Sequence, residues 1–470
     1  MRSILYRPAD GVAADFIPFY WEGDYHLFYL KDYRDAERCG EGTPWFHLVT
    51  RDFVAFEEWG EALPRGPAGS QDVWVFTGSV IEREGVFHIF YTGHNGHFQG
   101  AGKPVQAVMH AASPDLRTWT KDPNFMFFAP TDRGHEPDDW RDPFVFWNAE
   151  AGEYWMLLAA RKTIGPSRHR GLIALAASPD LATWEVRAPF WAPNLYFTHE
   201  CPDLFRIGAW WYLVYSTFTE RSVTHYRMSR SLAGPWLAPA NDTFDGRAYY
   251  AAKTAGDGDR RFVFGWLPTR SGERDDGAWN WGGALVVHEI VQAADGTLTV
   301  RAPQPVLDAF VTLQPIAPQP VLGTWNINDA AISAAAVGRF AALTVGELPD
   351  VCLVEAEITC AENTTSAGLL LRAEAGLETY YQVRLEPANR RIVFDRWPRP
   401  GDQPFMLERP LAMTPGQPVR LRLMIDGTCV VVYADDAVAL SCRMYDHREG
   451  LLGLFVTEGE ASFKVTVKLR

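Results

Sequence analysis

The sequence predicts an all-β protein in which a five-bladed β-propeller is followed by a C-terminal β-sandwich. Three observations lead to this prediction: five aromatic runs recur at blade-length intervals, a short turn motif repeats behind them, and the strand pattern changes in the last third of the chain. A chain of 470 residues is also too long for one small core, so two domains are expected.

The aromatic runs define the predicted blades. Each run is rich in aromatic and aliphatic residues and follows a turn rich in Gly, Asp or Glu, and the starts lie 51 to 67 residues apart. The runs cover residues 25–30, 87–91, 154–158, 210–215 and 261–266. A turn ahead of such a run is typical of a β-hairpin, and the spacing suits a four-stranded blade with its loops.

A turn motif follows four of the runs. Residues 113–119 and 178–184 both read Ser-Pro-Asp-Leu-x-Thr-Trp, and residues 50–56 and 229–236 are looser versions. We expect the Asp or Ser side chain to close the turn and the Trp to pack against the outer strand of its blade. These tryptophans are therefore predicted to be structural.

The domain boundaries follow from changes in pattern along the chain. Residues 1–310 are predicted to form the propeller, and residues 311–326 to form an apolar, Pro-containing linker. Residues 327–470 carry longer alternating strands, which predict a two-sheet sandwich. No cluster of titratable groups occurs in this second domain, so we expect it to support packing or to contact sugar.

Composition limits the class of partner. The formal net charge of −14 disfavours nucleic acid and anionic membranes as partners, and 13% aromatic residues favour a small carbohydrate. The six cysteines have no CxxC spacing, so free thiols are expected, and the N-terminus lacks the apolar stretch of a signal peptide. We therefore predict a cytoplasmic protein, either a monomer or a homodimer.

Three acidic residues occupy the same phase of the blade repeat, ahead of an aromatic run. They are Asp15, Asp142 and Glu200, and each lies in or leads into an apolar strand. An acid in an inner strand is costly to bury unless it is paired, so three at equivalent positions indicate a functional site. Two carboxyl groups across one pocket are what glycoside hydrolysis requires.

These segments resemble the signature motifs of glycoside hydrolase family 32, the invertase, inulinase and levanase family. The triplet at 141–143 (Arg-Asp-Pro) and the pair at 200–201 (Glu-Cys) match two of its motifs outright. Residues 72–80, 244–251 and 281–285 resemble three further segments, in the order in which the family has them. The resemblance extends over nearly the whole chain.

The resemblance implies a retaining hydrolase of β-fructofuranosides that needs no metal and no organic cofactor. Asp15 would be the nucleophile, Glu200 would be the acid and base, and Asp142 would hold sugar hydroxyls and stabilise the transition state. Arg141 would pair with a carboxylate in the pocket, and Cys201 would pack beside the acid.

The predicted substrate-binding residues come from these motifs and from aromatic positions near them. They are Arg141, Trp45, Trp74, Phe76, Thr77, Cys201 and Tyr250. For Trp45 the sequence leaves two interpretations open, a pocket wall or a blade core.

The chain departs from the family pattern around the nucleophile. Ala14 stands where the family has Asn, residues 16–18 replace Pro-Asn-Gly, and Leu30 stands where it has Gln. The lost amides contact the sugar in the family, so we expect an altered substrate or linkage. Three alternatives stay open: a fructosyltransferase, a hydrolase of another furanoside such as an arabinofuranoside, and a non-catalytic sugar-binding propeller. His288 also stands where the family has Pro, and the sequence alone does not explain it.

Overall fold

The computed structural model of the protein describes residues 3–328, 331–399, 401 and 406–470. Residues 1–2 of the predicted propeller, and residues 329–330, 400 and 402–405 of the predicted sandwich, lie outside the described residues. Nearly all of the regular secondary structure in the described chain is strand, and the all-β prediction is confirmed.

The first part of the chain forms five blades. Blade I contains β1 (Val12–Trp21), β2 (Asp24–Asp32), β3 (Trp45–Thr50) and β4 (Glu57–Leu63). Blade II contains β5 (Trp74–Arg83), β6 (Val86–His94), β7 (Gln106–Ser113) and β8 (Thr120–Phe127). Blade III contains β9 (His135–Asn148), β10 (Glu153–Lys162), β11 (Gly171–Ser178) and β12 (Glu185–Val186). Blade IV contains β13 (Glu200–Ile207), β14 (Trp210–Thr217) and β15 (Val223–Ser229). Blade V contains β16 (Tyr250–Gly256), β17 (Arg261–Arg270), β18 (Trp279–Gln292) and β19 (Leu298–Arg301).

The first strands of the blades contact one another in a ring, in the order β1, β5, β9, β13, β16 and back to β1. β18 also pairs with β1 at Gly283 and Ala13, so the last blade is joined to the first by backbone pairing. The five aromatic runs fall in the second strands, β2, β6, β10, β14 and β17. The predicted five-bladed propeller is therefore confirmed.

Short helices lie between the strands. The α-helices are α1 (Ala36–Cys39) and α2 (Gln304–Asp308), and the 3-10 helices are Gly96–Phe98, Thr131–Arg133, Ser167–His169 and Ser271–Glu273. None of the described helices is long and apolar enough to cross a membrane. The six cysteines are free thiols.

The repeated turn motif has the structure that its residues predict. In its first copy the Asp115 carboxylate accepts hydrogen bonds from the backbone N–H groups of Arg117 and Thr118, at 2.9 and 2.7 Å. Trp119 donates its indole N–H to the carbonyl of Leu116 at 3.0 Å. The copy at 178–184 repeats both features, so these tryptophans fix the turn and serve the fold.

Each inner strand carries a β-bulge where it pairs with its second strand. In the inner strands the register shifts lie between Ala14 and Ile17, Phe76 and Gly78, Arg141 and Phe144, Glu200 and Asp203, and Tyr250 and Lys253. In four of the bulges a residue other than glycine has a positive φ: Asp15 (45°), Asp142 (58°), Cys201 (50°) and Ala251 (49°). This conformation costs about 1–2 kcal/mol per residue, and bulges re-aim side chains. The ring of bulges therefore turns the predicted catalytic segments toward the centre of the propeller.

The last part of the chain forms two packed sheets. One sheet contains β22 (Trp325–Ile327), β23 (Ile332–Ala335), β34 (Glu460–Leu469), β25 (Val351–Cys360), β30 (Pro418–Asp426), β31 (Cys429–Ala434) and β32 (Val438–Arg443), with β20 (Thr312–Gln314) paired to β34. The other contains β21 (Gln319–Leu322), β24 (Phe340–Glu347), β33 (Leu451–Thr457), β26 (Ser366–Ala373), β27 (Tyr380–Glu386), β28 (Arg391–Trp397) and β29 (Leu407–Pro410). The predicted sandwich is confirmed.

The predicted linker, residues 311–326, contributes strands to both sandwich sheets. β20 pairs with β34, and β21 pairs with β24. Its apolar and Pro residues therefore occupy edge positions of the sheets, where a strand tolerates proline. The domain boundaries at 310 and 326 stay predictions.

A buried polar network joins the propeller to the sandwich and explains His288. This side chain, fully buried in β18, contacts the Asp245 carboxylate through Nε2 at 2.9 Å and the Tyr433 hydroxyl through Nδ1 at 2.8 Å. Asp245 also accepts hydrogen bonds from the backbone N–H and the hydroxyl of Ser441, at 2.7 and 2.5 Å. Because Tyr433 and Ser441 belong to the sandwich, His288 is part of the contact between the two halves.

Candidate active site

A pocket of about 940 Å³ opens at the centre of the propeller, on the side where the bulges lie. Every blade contributes to its wall. The lining residues are Asp15, Asp32, Tyr33, Arg34, Asp35, Ala36, Gly40, Glu41, Gly42, Thr43, Trp74, Phe76, Gln106, Asp139, Arg141, Asp142, Phe197, Glu200, Cys201, Phe218, Tyr250 and Trp281. The size and the mixture of aromatic walls with a few polar groups are typical of a small-molecule site.

Asp15 enters the pocket from the bulge of β1, and a donor holds each of its carboxylate oxygens. Thr77 donates its hydroxyl to Oδ2 at 2.6 Å, and Trp266 donates its indole N–H to Oδ1 at 3.0 Å. Burial raises the pKa of Asp15 to about 7; the hydrogen bond from Thr77 opposes the rise, and the Asp142 and Glu200 charges add to it. The carboxylate is therefore fixed in orientation and ionises near neutral pH.

Asp142 enters from the bulge of β9 and is held through its own backbone and its side chain. Its N–H donates to the Thr92 hydroxyl at 2.7 Å, and its Oδ2 accepts a hydrogen bond from the backbone N–H of Cys201 at 2.9 Å. Burial raises the pKa of Asp142 to about 6, although the neighbouring Arg141 guanidinium lowers it, and the Glu200 charge adds to the rise. This second carboxylate also titrates well above its ordinary range.

Glu200 begins β13, and two side chains bind its carboxylate. Arg141 donates from Nη2 to Oε1 at 2.9 Å, and the Tyr250 hydroxyl donates to Oε2 at 2.5 Å. Burial and the Glu200 charge raise the pKa of Tyr250 well above its usual range, so the tyrosine keeps its proton. Both oxygens of Glu200 thus have fixed partners from blades III and V.

Arg141 connects the carboxylates of the pocket. Besides Glu200 it binds Asp139 Oδ1 from Nη1 at 2.6 Å, and its Nε lies 3.9 Å from Asp142 Oδ2. Burial alone would lower the pKa of this guanidinium, but the charges of the three acids outweigh it and raise the pKa. The arginine is therefore a permanent cation among acids from blades III and IV.

Comparison with known proteins identifies the origin of this arrangement. The model of the glycosyl hydrolases family 32 N-terminal domain matches residues 11–301, and the model of the family 32 C-terminal domain matches residues 338–469. The chain belongs to glycosyl hydrolase family 32. It is therefore a glycosidase that hydrolyses O-glycosyl bonds, and the recognition made from its motifs is confirmed.

Similar members of family 32 act on different substrates, as their names state. Sucrose-6-phosphate hydrolase of Zymomonas mobilis is 24% identical over 94% of this chain and 86% of its own length. Raffinose invertase of Escherichia coli is 25% identical over 94% of this chain and 89% of its own. Levanbiose-producing levanase of Bacillus subtilis is 29% identical over 50% of this chain and 42% of its own.

Solved structures of the same architecture match the whole chain. Sucrose-6-phosphate hydrolase from Lactobacillus gasseri superposes with a TM-score of 0.76 at 16% identity, over 100% of this chain and 93% of the other. Fructan 1-exohydrolase IIa from Cichorium intybus superposes with a TM-score of 0.73 at 17% identity, over 99% and 96% of the two chains. At these identities the match concerns the fold.

Most of the predicted site residues of this family 32 protein lie together in the pocket. The lining includes all three predicted catalytic carboxylates and five of the predicted substrate-binding residues, namely Arg141, Trp74, Phe76, Cys201 and Tyr250. Burial and the nearby acids raise the pKa of the Cys201 thiol well above its ordinary value, so this cysteine stays protonated.

Two predicted substrate-binding residues lie behind the wall. Trp45 is fully buried in the core between blades I and II, and its indole N–H donates to the Phe76 carbonyl at 3.1 Å. Of its two interpretations, the structure supports blade core, because the ring has no surface left to offer a sugar. Thr77 is also fully buried, and its hydroxyl binds Asp15 instead of facing the cavity. Both support residues that do line the pocket.

The positions of the lost amides are closed to the pocket. Ala14 and Leu30 are fully buried in cores of blade I and do not line the cavity. Apolar side chains here fill the blade, so contacts that amides make in the family would have to come from other groups. The family 32 pattern alone gives no indication of which groups these are.

Several residues of the site were not predicted, and the first of them lies behind the pocket lining. Trp266 ends the fifth aromatic run. Because the aromatic runs mostly fill blade cores, the sequence does not indicate that this indole contacts Asp15. Gln106 and Asp139, which bind Arg141, have no motif of their own. Residues 32–43, from the last residue of β2 through the loop before β3, contribute one wall of the pocket, and sequence spacing cannot locate it.

Proposed function

We propose that this family 32 glycosidase is a β-fructofuranosidase that acts with retention, with Asp15 as nucleophile and Glu200 as acid and base. The observation that supports it most is the convergence of Asp15, Asp142 and Glu200, from three different blades, on one pocket. Two of these acids, Asp15 and Glu200, have separate hydrogen-bond partners, and a retaining glycosidase needs two such carboxyl groups, one as nucleophile and one as acid and base.

In the first step Asp15 would attack the anomeric carbon of the fructosyl unit. An ester bond forms between its carboxylate and that carbon while the bond to the leaving oxygen breaks, and Glu200 gives its proton to that oxygen. Thr77 and Trp266 hold the attacking carboxylate, and Arg141 and Tyr250 hold the acid. Hydrogen bonds that fix both groups lower the cost of reaching the reactive geometry.

In the second step Glu200 would take a proton from water, and the water oxygen would attack the same carbon. The ester bond then breaks and Asp15 leaves as a carboxylate. Asp142, anchored by the Cys201 N–H, would accept hydrogen bonds from sugar hydroxyls with its other oxygen and stabilise positive charge on the ring. Two displacements at one carbon retain its configuration.

The test is hydrolysis of sucrose, inulin, levan and an aryl arabinofuranoside by purified protein, with methanol added as a trap. We expect release of fructose and formation of the β-methyl fructofuranoside. Glu200→Gln should lower kcat by about 10²–10⁴-fold, while Glu150→Gln, in an exposed turn, should leave it unchanged.

Other outcomes of this screen select among the alternatives. Turnover of the arabinofuranoside alone would contradict the fructosyl specificity, and transfer to sugar with little free fructose would indicate a transferase. An α-methyl product would contradict the nucleophilic role of Asp15. Absence of turnover in wild type and variant alike would favour a non-catalytic sugar-binding propeller.

We also propose that the protein works in the cytoplasm. The free state of its cysteines, five of which are buried, suits a reducing compartment. Cell fractionation tests this proposal, and light scattering distinguishes a monomer from a homodimer.

A further inference from the structure

The wall of the pocket formed by residues 32–43 differs in charge from what a phosphate group requires. Its acidic members are Asp32, Asp35 and Glu41. We propose that this wall selects a neutral leaving group and rejects a phosphorylated one, so that sucrose is a better substrate than sucrose 6-phosphate. The inference rests on the proposed function. It gives this chain a substrate preference different from that of the relatives named sucrose-6-phosphate hydrolases.

The loop holds its acids in fixed places. The Asp35 carboxylate caps the short helix α1 by accepting the backbone N–H of Arg38 at 3.0 Å. Arg65 donates from Nη1 to the carbonyls of Gly40 and Glu41, at 2.9 Å each. The loop is therefore a built part of the pocket, and its charges act on whatever enters.

The two guanidinium groups of the lining are already engaged. Arg34 donates from Nη1 and from its backbone N–H to the Asp32 carboxylate, at 2.8 Å each, and from Nη2 to the Trp281 carbonyl. Arg141 binds Glu200 and Asp139. A phosphate is bound best by an arginine whose donors face it, and here those donors are used by carboxylates and carbonyls.

The charge of the whole pocket lining also disfavours a phosphorylated sugar. The described residues of the wall include seven acidic side chains, three on the loop and four near the reaction centre, against two guanidinium groups. A phosphate dianion beside the loop acids meets like charge, which costs binding unless a cation intervenes. Sugar hydroxyls, in contrast, donate hydrogen bonds to carboxylates, so a neutral sugar gains from the same groups.

The test compares kcat/KM for sucrose and for sucrose 6-phosphate, whose phosphate lies on the leaving glucose. We expect wild type to favour sucrose by about tenfold or more. The double variant Asp35→Asn, Glu41→Gln should move the ratio of the two constants toward the phosphorylated sugar by about tenfold. Asn still caps the helix, so the loop should keep its shape.

The matched control is Glu37→Gln, which removes one charge from the same loop at an exposed position outside the pocket lining. It should leave the ratio unchanged. Added NaCl should raise the ratio of phosphorylated to neutral turnover in wild type, since salt screens the repulsion. Equal or better turnover of sucrose 6-phosphate by wild type, or a ratio that the double variant does not move, would overturn the proposal.

Measuring the binding of sucrose and sucrose 6-phosphate tests the charge selection independently of the proposed reaction. Calorimetry with Glu200→Gln measures affinity for the two sugars whether or not the wild type releases fructose. Tighter binding of sucrose, with no turnover, would support the charge selection and contradict the proposed function. Binding of neither sugar, or tighter binding of the phosphate, would overturn the charge selection itself.

Discussion

Two carboxylates of the propeller, Asp15 and Asp245, lie in opposite environments. Asp15, at the centre of the propeller, has two neutral donors, Thr77 and Trp266, and burial raises its pKa to about 7. Asp245, at the contact with the sandwich, is 1% exposed, and burial would also raise its pKa. There the hydrogen bond and charge of His288 and the hydroxyl of Ser441 outweigh burial, and the pKa is lowered.

The difference separates a functional acid from a structural one. The fold provides Asp245 with enough donors to make its ionised form stable, as buried charges in a core require. Asp15 is left short of compensation, because the nearby cation Arg141 is directed to Glu200 and Asp139. A carboxylate kept costly to ionise inside a cleft is typical of a catalytic group.

The largest effect that we expect is the loss of kcat when the carboxylate of Asp15 is removed. Asp15→Asn should lower kcat on the hydrolysed fructoside by about 10⁴-fold or more, because no other group replaces the nucleophile. Steady-state kinetics at high enzyme concentration measure the loss.

The same variant should not be destabilised. The pKa of Asp15 is higher in the folded than in the unfolded chain, so stability from the protonated form is lost as the pH rises through about 7. The melting temperature of Asp15→Asn relative to wild type should thus increase between about pH 5 and pH 8. Activity near the wild-type level, or a relative melting temperature that falls with pH, would remove the contrast with Asp245.

The second effect concerns stability at the interface. Asp245→Asn leaves His288 and Ser441 without their charged partner, and it should lower the free energy of unfolding by about 3–5 kcal/mol. Urea unfolding followed by tryptophan fluorescence measures it. Asp276→Asn is the control, because that exposed residue pairs with Arg274 on the surface and should change stability by less than about 1 kcal/mol.

Retained kcat in Asp245→Asn at low temperature would sharpen the contrast, since the interface acid supports the fold and not the reaction. Full stability in this variant would contradict the structural role. A loss of kcat as large as that of Asp15→Asn would show that the two regions are not separable.

Periodicity and motifs predicted the fold and the position of the acids. The aromatic runs became the second strands of the blades, and the segments around Asp15, Asp142 and Glu200 became their bulged first strands. These features are local, because a repeat of hydrophobic strands and the acids of three inner strands can be recognised from short stretches of consecutive residues.

Contacts between distant segments were not accessible in this way. Trp266 lies 251 positions from Asp15, and His288 contacts Tyr433 across 145 positions. Contacts between residues so far apart in the sequence cannot be predicted from the spacing of neighbouring residues. Trp45 is a case in which sequence could not choose, because an aromatic residue beside a motif can fill a blade core just as well as face a sugar.

The smallest effect tests the donor that the sequence did not reveal. The Trp266 N–H stabilises the ionised form of Asp15, so Trp266→Phe should raise the pKa of Asp15. Since the nucleophile must be ionised, kcat/KM falls as the pH drops through this pKa, and the acid limb should move to higher pH by about one unit. Thr77→Val should move it in the same direction. Trp119→Phe, which removes a similar indole hydrogen bond far from the pocket, should leave the limb in place. An acid limb that stays where it is in both Trp266→Phe and Thr77→Val would mean that another group controls it, and it would contradict the role of Asp15 as the titrating nucleophile.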